Sequence, residues 1–285
     1  MSGYSLQFYF DAPLPDVAAI HYRHEVFQDL EERRSSACIR SFAERMRQMR
    51  ARLAAAGKLH YELQRQRWFV DAAAGYCEAV RTLASELAAA QPRSDGLLEL
   101  LGYLGVYLGS PEFTALLAAT AQVQAALASI RYALHIEDSR VHVGRCAAEP
   151  DYTDEVARTF GKFSQGAAKN YRFTLHSQVE MNHVEAAVLD RVALLHPEAF
   201  GLLSTYCREH RPYLDETLGR FDQEVQFYLA YLEHIGTLKA RGPPFCYPEV
   251  TDRSREVYGR DVFDLALAAK LAGERAPVVT NDFRL

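Results

Sequence analysis

The chain has 285 residues, of which 49% are hydrophobic and 24% charged, and its formal net charge is -5. That length can bury a sizeable core, and that composition argues against a disordered chain. The acidic balance excludes a global attraction to nucleic acid, so contact with DNA has to come from a local patch.

Five cysteines (Cys38, Cys77, Cys146, Cys207 and Cys246) are odd in number, far apart and free of any Cys-x-x-Cys pair. They argue against a disulfide framework and against a structural zinc site. Met1–Ser5 carries no positive charge followed by an apolar run. The longest apolar candidate, Leu97 to Leu108, is interrupted by Glu99 and falls short of a membrane span of roughly 18 residues. A soluble, cytoplasmic protein without membrane partners is expected.

In chain order, Leu6 to Phe10 alternates briefly, Asp11 to Asp16 reads as a turn, and a helix carrying Val17, Ile20, His21, Val26 and Phe27 follows. From about Ser36, Phe42, Met46, Met49 and Leu53 recur at helical steps, with Gly57 as a stop. A second stripe from Leu59 through Val70, Cys77 and Val80 to Leu87 predicts a helix over 59–90, about 48 Å long at 1.5 Å per residue. Pro92 to Gly96 breaks the pattern, and a helix over 97–107 is expected next. Ser110 then reads as a cap with Pro111 at the first helical position, predicting helix over 111–128.

Ile130, Tyr132, Leu134 and Ile136 alternate with polar or small residues, and Val141 and Val143 resume the alternation, so 130–145 reads as an inserted β-hairpin. Helices are expected again from about Thr153. Asn182 and Glu185 have capping-box spacing, and Pro197 and Pro212 read as first-turn prolines of two further helices. The second of these carries Leu214, Leu218, Phe221, Val225, Leu229, Leu232 and Ile235 on one face. Arg241–Pro244 breaks it and marks a candidate domain boundary. Asp261 to Ala272 reads as a short helix, with Asp261 and Asp264 in its first turn. Pro277–Thr280 reads as a strand that needs a partner, which points to further chain beyond Leu285.

Catalytic and metal signals are sparse. Glu180 and His183 have the spacing of di-iron helical bundles, but no second Glu-x-x-His exists and the capping box already accounts for this stretch. His21 and His24 lack an anchoring Cys or Asp at ligand spacing. Hydrolase, zinc-protease, dinucleotide and phosphate-loop patterns are absent, with Gly161-Lys162 matching only the core pair of the last. No catalytic residue and no metal ligand is assigned. Residues 40–67 hold eight basic side chains against Glu44 and Glu62, a local excess of six positive charges. Such a helix can grip backbone phosphates, or simply be solvated beside acidic neighbours.

Five runs carry a family likeness. They are Lys58-Leu59-His60-Tyr61 with Gln64-Arg65-Gln66-Arg67-Trp68-Phe69; Glu180-Met181-Asn182-His183-Val184-Glu185; Phe221-Asp222-Gln223-Glu224-Val225-Gln226-Phe227-Tyr228; Phe245-Cys246-Tyr247-Pro248-Glu249; and Pro277-Val278-Val279-Thr280-Asn281-Asp282-Phe283. In this order and spacing they resemble the MutS-like DNA mismatch repair ATPases, and the likeness covers about Ala18 to Leu285.

The resemblance implies a mainly α, elongated core and lever with long helices, a reduced clamp and the inserted hairpin over 1–245. Residues 246–285 would be the first elements of an α/β ATPase domain. It implies DNA, duplex, mismatched or branched, as partner, a homodimer in the full-length protein, and ATP with Mg2+ as cofactor of the completed ATPase rather than of this chain. The mismatch-reading domain with its Phe-x-Glu and the phosphate loop are both missing from this sequence. Neither mismatch reading nor ATP hydrolysis is therefore expected of it alone. Charge selects Arg40, Arg45, Arg47, Arg50 and Arg52 as phosphate contacts, and family position selects Val278, Val279 and Asn281 at the nucleotide. The rival readings are a helical interaction scaffold without a DNA role and a helical-bundle metalloenzyme on Glu180 and His183.

Overall fold

A computed structural model describes residues 6, 9, 11–137, 140–146, 181–240, 245–274 and 276–285. The helices expected from Thr153, most of the Leu6–Phe10 segment and Glu180 lie outside the described residues. The fold is mainly α with a small β part. In chain order the elements are α1 (Val17–Glu31), α2 (Arg33–Ala56), α3 (Glu62–Ala90), α4 (Asp95–Leu108) and α5 (Pro111–Ala128). Then come β1 (Tyr132–Glu137), β2 (Arg140–Arg145), α6 (His183–Leu195), α7 (Pro197–Glu209) and α8 (Glu216–Lys239). The chain closes on β3 (Tyr258–Val262), α9 (Leu265–Glu274) and β4 (Asn281–Arg284). At 29 residues α3 is about 43 Å long.

Two compact units divide the chain. One comprises residues 1–48, 75–114 and 212–285, and the other residues 49–74 and 115–211. Residues on both sides of position 245 therefore belong to the same unit.

In the first unit the stripes read from the sequence face inward. Ile39, Phe42 and Met46 of α2, Tyr76, Val80, Leu83 and Leu87 of α3, and Leu97 and Leu104 of α4 are essentially buried. From α8, Leu218, Val225 and Leu229 join them, and Phe42 packs its ring 5.7 Å from that of Phe221. Cys38 is sealed in this core, donates to the Leu83 carbonyl at 3.8 Å, and burial pushes its thiol up to about 12.

Helix α4 begins in an unusual way. Ser94 occupies its cap position but makes no side-chain cap hydrogen bond. Instead the buried carboxylate of Asp29, in α1, accepts the Ser94 N–H at 2.7 Å, the Ser94 hydroxyl at 2.6 Å and the Arg93 N–H at 2.9 Å. Gly96, in the same turn, leaves room for α1. A Cβ there would stand 2.7 Å from the Tyr22 hydroxyl and 2.9 Å from Val26.

A second polar cluster ties α3, α4 and the start of α8 together. The Asp215 N–H donates to the Tyr76 hydroxyl at 3.2 Å, which meets the Tyr107 hydroxyl at 2.9 Å. Tyr103 donates to Asp215 Oδ2 at 2.8 Å while Oδ1 caps α8 by accepting the Leu218 N–H at 2.9 Å. This cap corrects one expectation. Helix α8 starts at Glu216, not at Pro212, because Asp215 satisfies its first-turn donors. Leu214 is accordingly outside the helix and 42% exposed.

The C-terminal part of this unit differs from its expected form in two places. Pro277–Thr280 is not a strand; the strand is Asn281–Arg284 and its antiparallel partner is Tyr258–Val262. A bulge between Gly259 and Val262 interrupts the register, with Asp261 at φ 51°. Asp261 thus belongs to β3. Asp264 caps α9 by accepting the Leu267 N–H at 2.7 Å, so that helix begins at Leu265.

In the second unit, Phe69 of α3 packs against Tyr206 of α7 with ring centroids 6.2 Å apart. The Ser204 hydroxyl donates to Gln66 Oε1 at 3.2 Å. Thr120 of α5 donates to the Leu116 carbonyl, so it accepts from Tyr206 at 2.7 Å. The hairpin pairs Tyr132 with Arg145, through Leu134 with Val143, to Glu137 with Arg140. In the first unit, Ser110 accepts the Phe113 N–H. Both halves of the Asn182–Glu185 capping box are present. Pro197 stands at the first turn of α7. No helix among the described residues is long and apolar enough to cross a membrane.

Candidate nucleic-acid interface and an aromatic cleft

The five arginines selected by charge all lie on α2. A seven-residue step returns to the same helix face, which aligns Arg40 with Arg47 and Arg45 with Arg52. Arg40, Arg47 and Arg52 are exposed, whereas Arg45 and Arg50 are half-buried. Two of the exposed three are engaged locally. Arg47 pairs with Glu44 one turn back, and the Arg40 guanidinium donates to Ser36 Oγ at 3.3 Å. Exposed ion pairs of this kind hold their partners weakly and can exchange for phosphate. Further along the basic stretch the pattern continues on α3, where Arg65 pairs with Glu62 and Arg67 with Asp71 at 3.1 Å. Arg65, through its hydrogen bond, is the largest influence on Glu62 and holds its carboxyl below the usual range.

The residues selected at the nucleotide position stand together around β4. Val278 is half-buried and Val279 is 75% exposed in the segment leading into the strand, and Asn281 is its first residue, opposite Val262. Apolar exposure is concentrated here. Val257, Tyr258, Val262, Val279, Phe283 and Leu285 are between 39% and 84% exposed.

A third place, which sequence reasoning did not single out, is a cleft of about 410 Å³ in the first unit. Helices α1 and α8 supply two walls and residues 245–248 the third, and Tyr9 completes the lining. Helical spacing on α1 brings Arg23, His24, Phe27 and Glu31 to one side, and the same spacing on α8 brings Phe227, Tyr231, Ile235 and Lys239 to the other. Phe27 meets the Phe227 ring at 5.9 Å and the Tyr231 ring at 5.4 Å.

One carboxylate oxygen organises the polar end of the cleft. Glu31 Oε1 accepts from Lys239 Nζ at 2.7 Å and from the Tyr247 hydroxyl at 2.7 Å. Partial burial alone would push the Glu31 carboxyl up, but the hydrogen bonds from Lys239 and Tyr247 outweigh it and hold the group below its usual range. Tyr247 responds the other way, raised first by burial and then by the carboxylate it serves. Lys239 lies 5.6 Å from the centre of the Phe245 ring, and Arg23 lies 5.2 Å from that of Phe227. His24 packs 5.3 Å from Tyr247, and burial, with repulsion from His21 adding to it, holds its pKa below the ordinary value. The signal for this cleft was present in the Phe245–Glu249 run and in the Phe221–Tyr228 run. Nothing in a linear sequence shows that these two segments face each other across α1.

Among the described residues, no group of three or more His, Cys, Asp or Glu side chains is placed to hold a metal ion. Comparison with protein-family models, with curated proteins and with solved structures gave no match.

Proposed function

We propose that this chain is the DNA-binding core and lever portion of a MutS-like DNA-repair ATPase of the cytoplasm. In the completed, dimeric protein it couples the state of ATP and Mg2+, held by the ATPase domain, to clamping on DNA. The observation that carries the reading is the order and spacing of the five sequence runs between Lys58 and Phe283. Three physical features support it. Helices of 24 and 29 residues, α2 and α3, are of lever length. The basic excess on residues 40–67 supplies the local patch that a protein of net charge -5 needs. The two-stranded β3–β4 ribbon leaves an apolar surface that a larger α/β layer would bury, and an isolated two-stranded ribbon is marginal. In this reading residues 246–285 open the ATPase domain, and Val278, Val279 and Asn281 border its nucleotide. Arg40, Arg45, Arg47, Arg50 and Arg52 touch backbone phosphates.

The test is binding of this chain to duplex and branched oligonucleotides by fluorescence anisotropy across a salt series, with sedimentation run in parallel to read the oligomeric state. Charge reversal at Arg47 and Arg50 should weaken binding and reduce the salt slope by about one to two units. An unchanged slope removes the arginine list. Absence of binding at low salt overturns the DNA reading and leaves the helical interaction scaffold in its place.

A further inference from the structure

The geometry points to the aromatic cleft of α1, α8 and residues 245–248 as a binding site for a small planar aromatic anion. This goes beyond the DNA reading and involves neither the α2 arginines nor the segment around Val278.

The argument begins with size. A cleft of about 410 Å³ lies within the range that encloses a small organic ligand, and helix faces on two sides make it largely preformed. Shape comes next. Phe27, Phe227, Tyr231, Phe245 and Tyr247 present ring surface to the cleft, and flat rings are matched best by another flat ring, offset-stacked or edge-on.

Charge selects among flat ligands. Two cations, Arg23 and Lys239, line the cleft against the single carboxylate of Glu31, and burial disfavours the charged form of His24. Each cation already lies over an aromatic face, Lys239 over Phe245 and Arg23 over Phe227. Two of the faces an organic cation would seek are therefore already occupied from within. Glu31 serves Lys239 and Tyr247 through the same oxygen, which holds the lysine head in place at the cleft rather than free in solvent. The remaining donor capacity of Lys239 and Arg23 is suited to a carboxylate, sulfonate or phosphate on the ligand's edge. A neighbouring cleft shares Tyr9, Arg23 and Phe227 and adds Glu224, so the preference for an anion is strongest at the Lys239 end.

The probe is 2-naphthoate, a flat ring with one carboxylate, titrated into the 285-residue chain by calorimetry. Its neutral and cationic relatives, 2-naphthalenemethanol and 2-naphthylmethylammonium, run beside it. One saturable naphthoate site is expected, with weaker binding of the alcohol and the weakest of the ammonium. Lys239→Met should weaken naphthoate about tenfold, the effect of losing a charged hydrogen-bond partner. Glu31→Gln acts in the opposite direction, removing the competing negative charge and freeing Lys239, so naphthoate binds more tightly. Circular dichroism confirms that both variants are folded. Ammonium binding equal to or tighter than naphthoate overturns the proposal. So does Glu31→Gln weakening naphthoate, or Lys239→Met leaving it unchanged. Adenosine monophosphate and a thymidine oligonucleotide serve as competitors. Displacement by the first supports a free nucleotide-like anion as the natural ligand, and displacement by the second alone overturns the small-ligand assignment.

Discussion

Tyr76 and Asp215 are 139 residues apart, yet the backbone N–H of one donates to the hydroxyl of the other at 3.2 Å. Tyr76 is fully buried. Burial first, and the Tyr107 hydroxyl second, drive its ionisation well above the ordinary value of 10.0. The folded chain therefore keeps a proton on Tyr76 that the unfolded chain releases above pH 10. The stabilising effect is complete below that pH and is lost progressively above it. Unfolding free energies from urea titrations between pH 9 and 11.5 should fall for the natural protein by up to about 1.4 kcal/mol per pH unit for this group. Tyr76→Phe should flatten that fall without abolishing it, because Tyr103, Tyr107 and Tyr228 are also raised. At pH 7 the same substitution should cost about 1–2 kcal/mol, since a partly buried N–H loses its acceptor. Parallel pH curves for the two proteins would refute the assignment.

Gly96→Ala tests the close approach of α1 and α4. On an ordinary helix this exchange is favourable by roughly 0.5–1 kcal/mol. Here the new methyl meets Tyr22 and Val26 below 3.0 Å. A loss of about 1–3 kcal/mol is expected from overpacking. Chemical denaturation gives the sign directly, and a stabilised variant would show that Tyr22 simply swings aside.

Asn182→Ala probes the second unit. Asn182 accepts the Val184 and Glu185 N–H groups at 2.9 Å, and Glu185 returns a hydrogen bond from the Asn182 N–H. Removal should cost about 1 kcal/mol and fray the first turn of α6. Hydrogen exchange at residues 184–186 is the readout; protection equal to that of the natural chain would mean the cap contributes nothing.

The legible and illegible parts of this sequence separate by range. Ser110–Pro111, Asn182–Glu185 and the alternation of residues 132–143 were readable because each signal is complete within a few residues. The stripes on α2 and α3 were readable because burial on one helix face repeats with the helix period. Strand β3, Tyr-Gly-Arg-Asp-Val, was not. It is short, mostly exposed and bulged, so it carries no alternation of the required kind. The sequence pattern therefore points four residues early for its partner, to the more apolar Pro-Val-Val-Thr. Pro212 misled because a first-turn proline and a proline in the turn before a capped helix look alike until the cap is identified. The Tyr76–Asp215 bond and the cleft at Glu31 join residues more than 130 positions apart, and no local pattern encodes them.

The anchoring of the entry to α4 by Asp29 bears on how the chain can be rearranged. Ser94 does not close the start of its own helix; its N–H and hydroxyl, and the Arg93 N–H before it, are tied to a carboxylate 65 residues upstream. Until α1 is in place, these donors are open to water. The entry to α4 is thus set by the α1 surface. Synthesis from the N-terminus supplies that surface first, whereas a circular permutant beginning after Glu32 would make this anchoring wait for the end of translation.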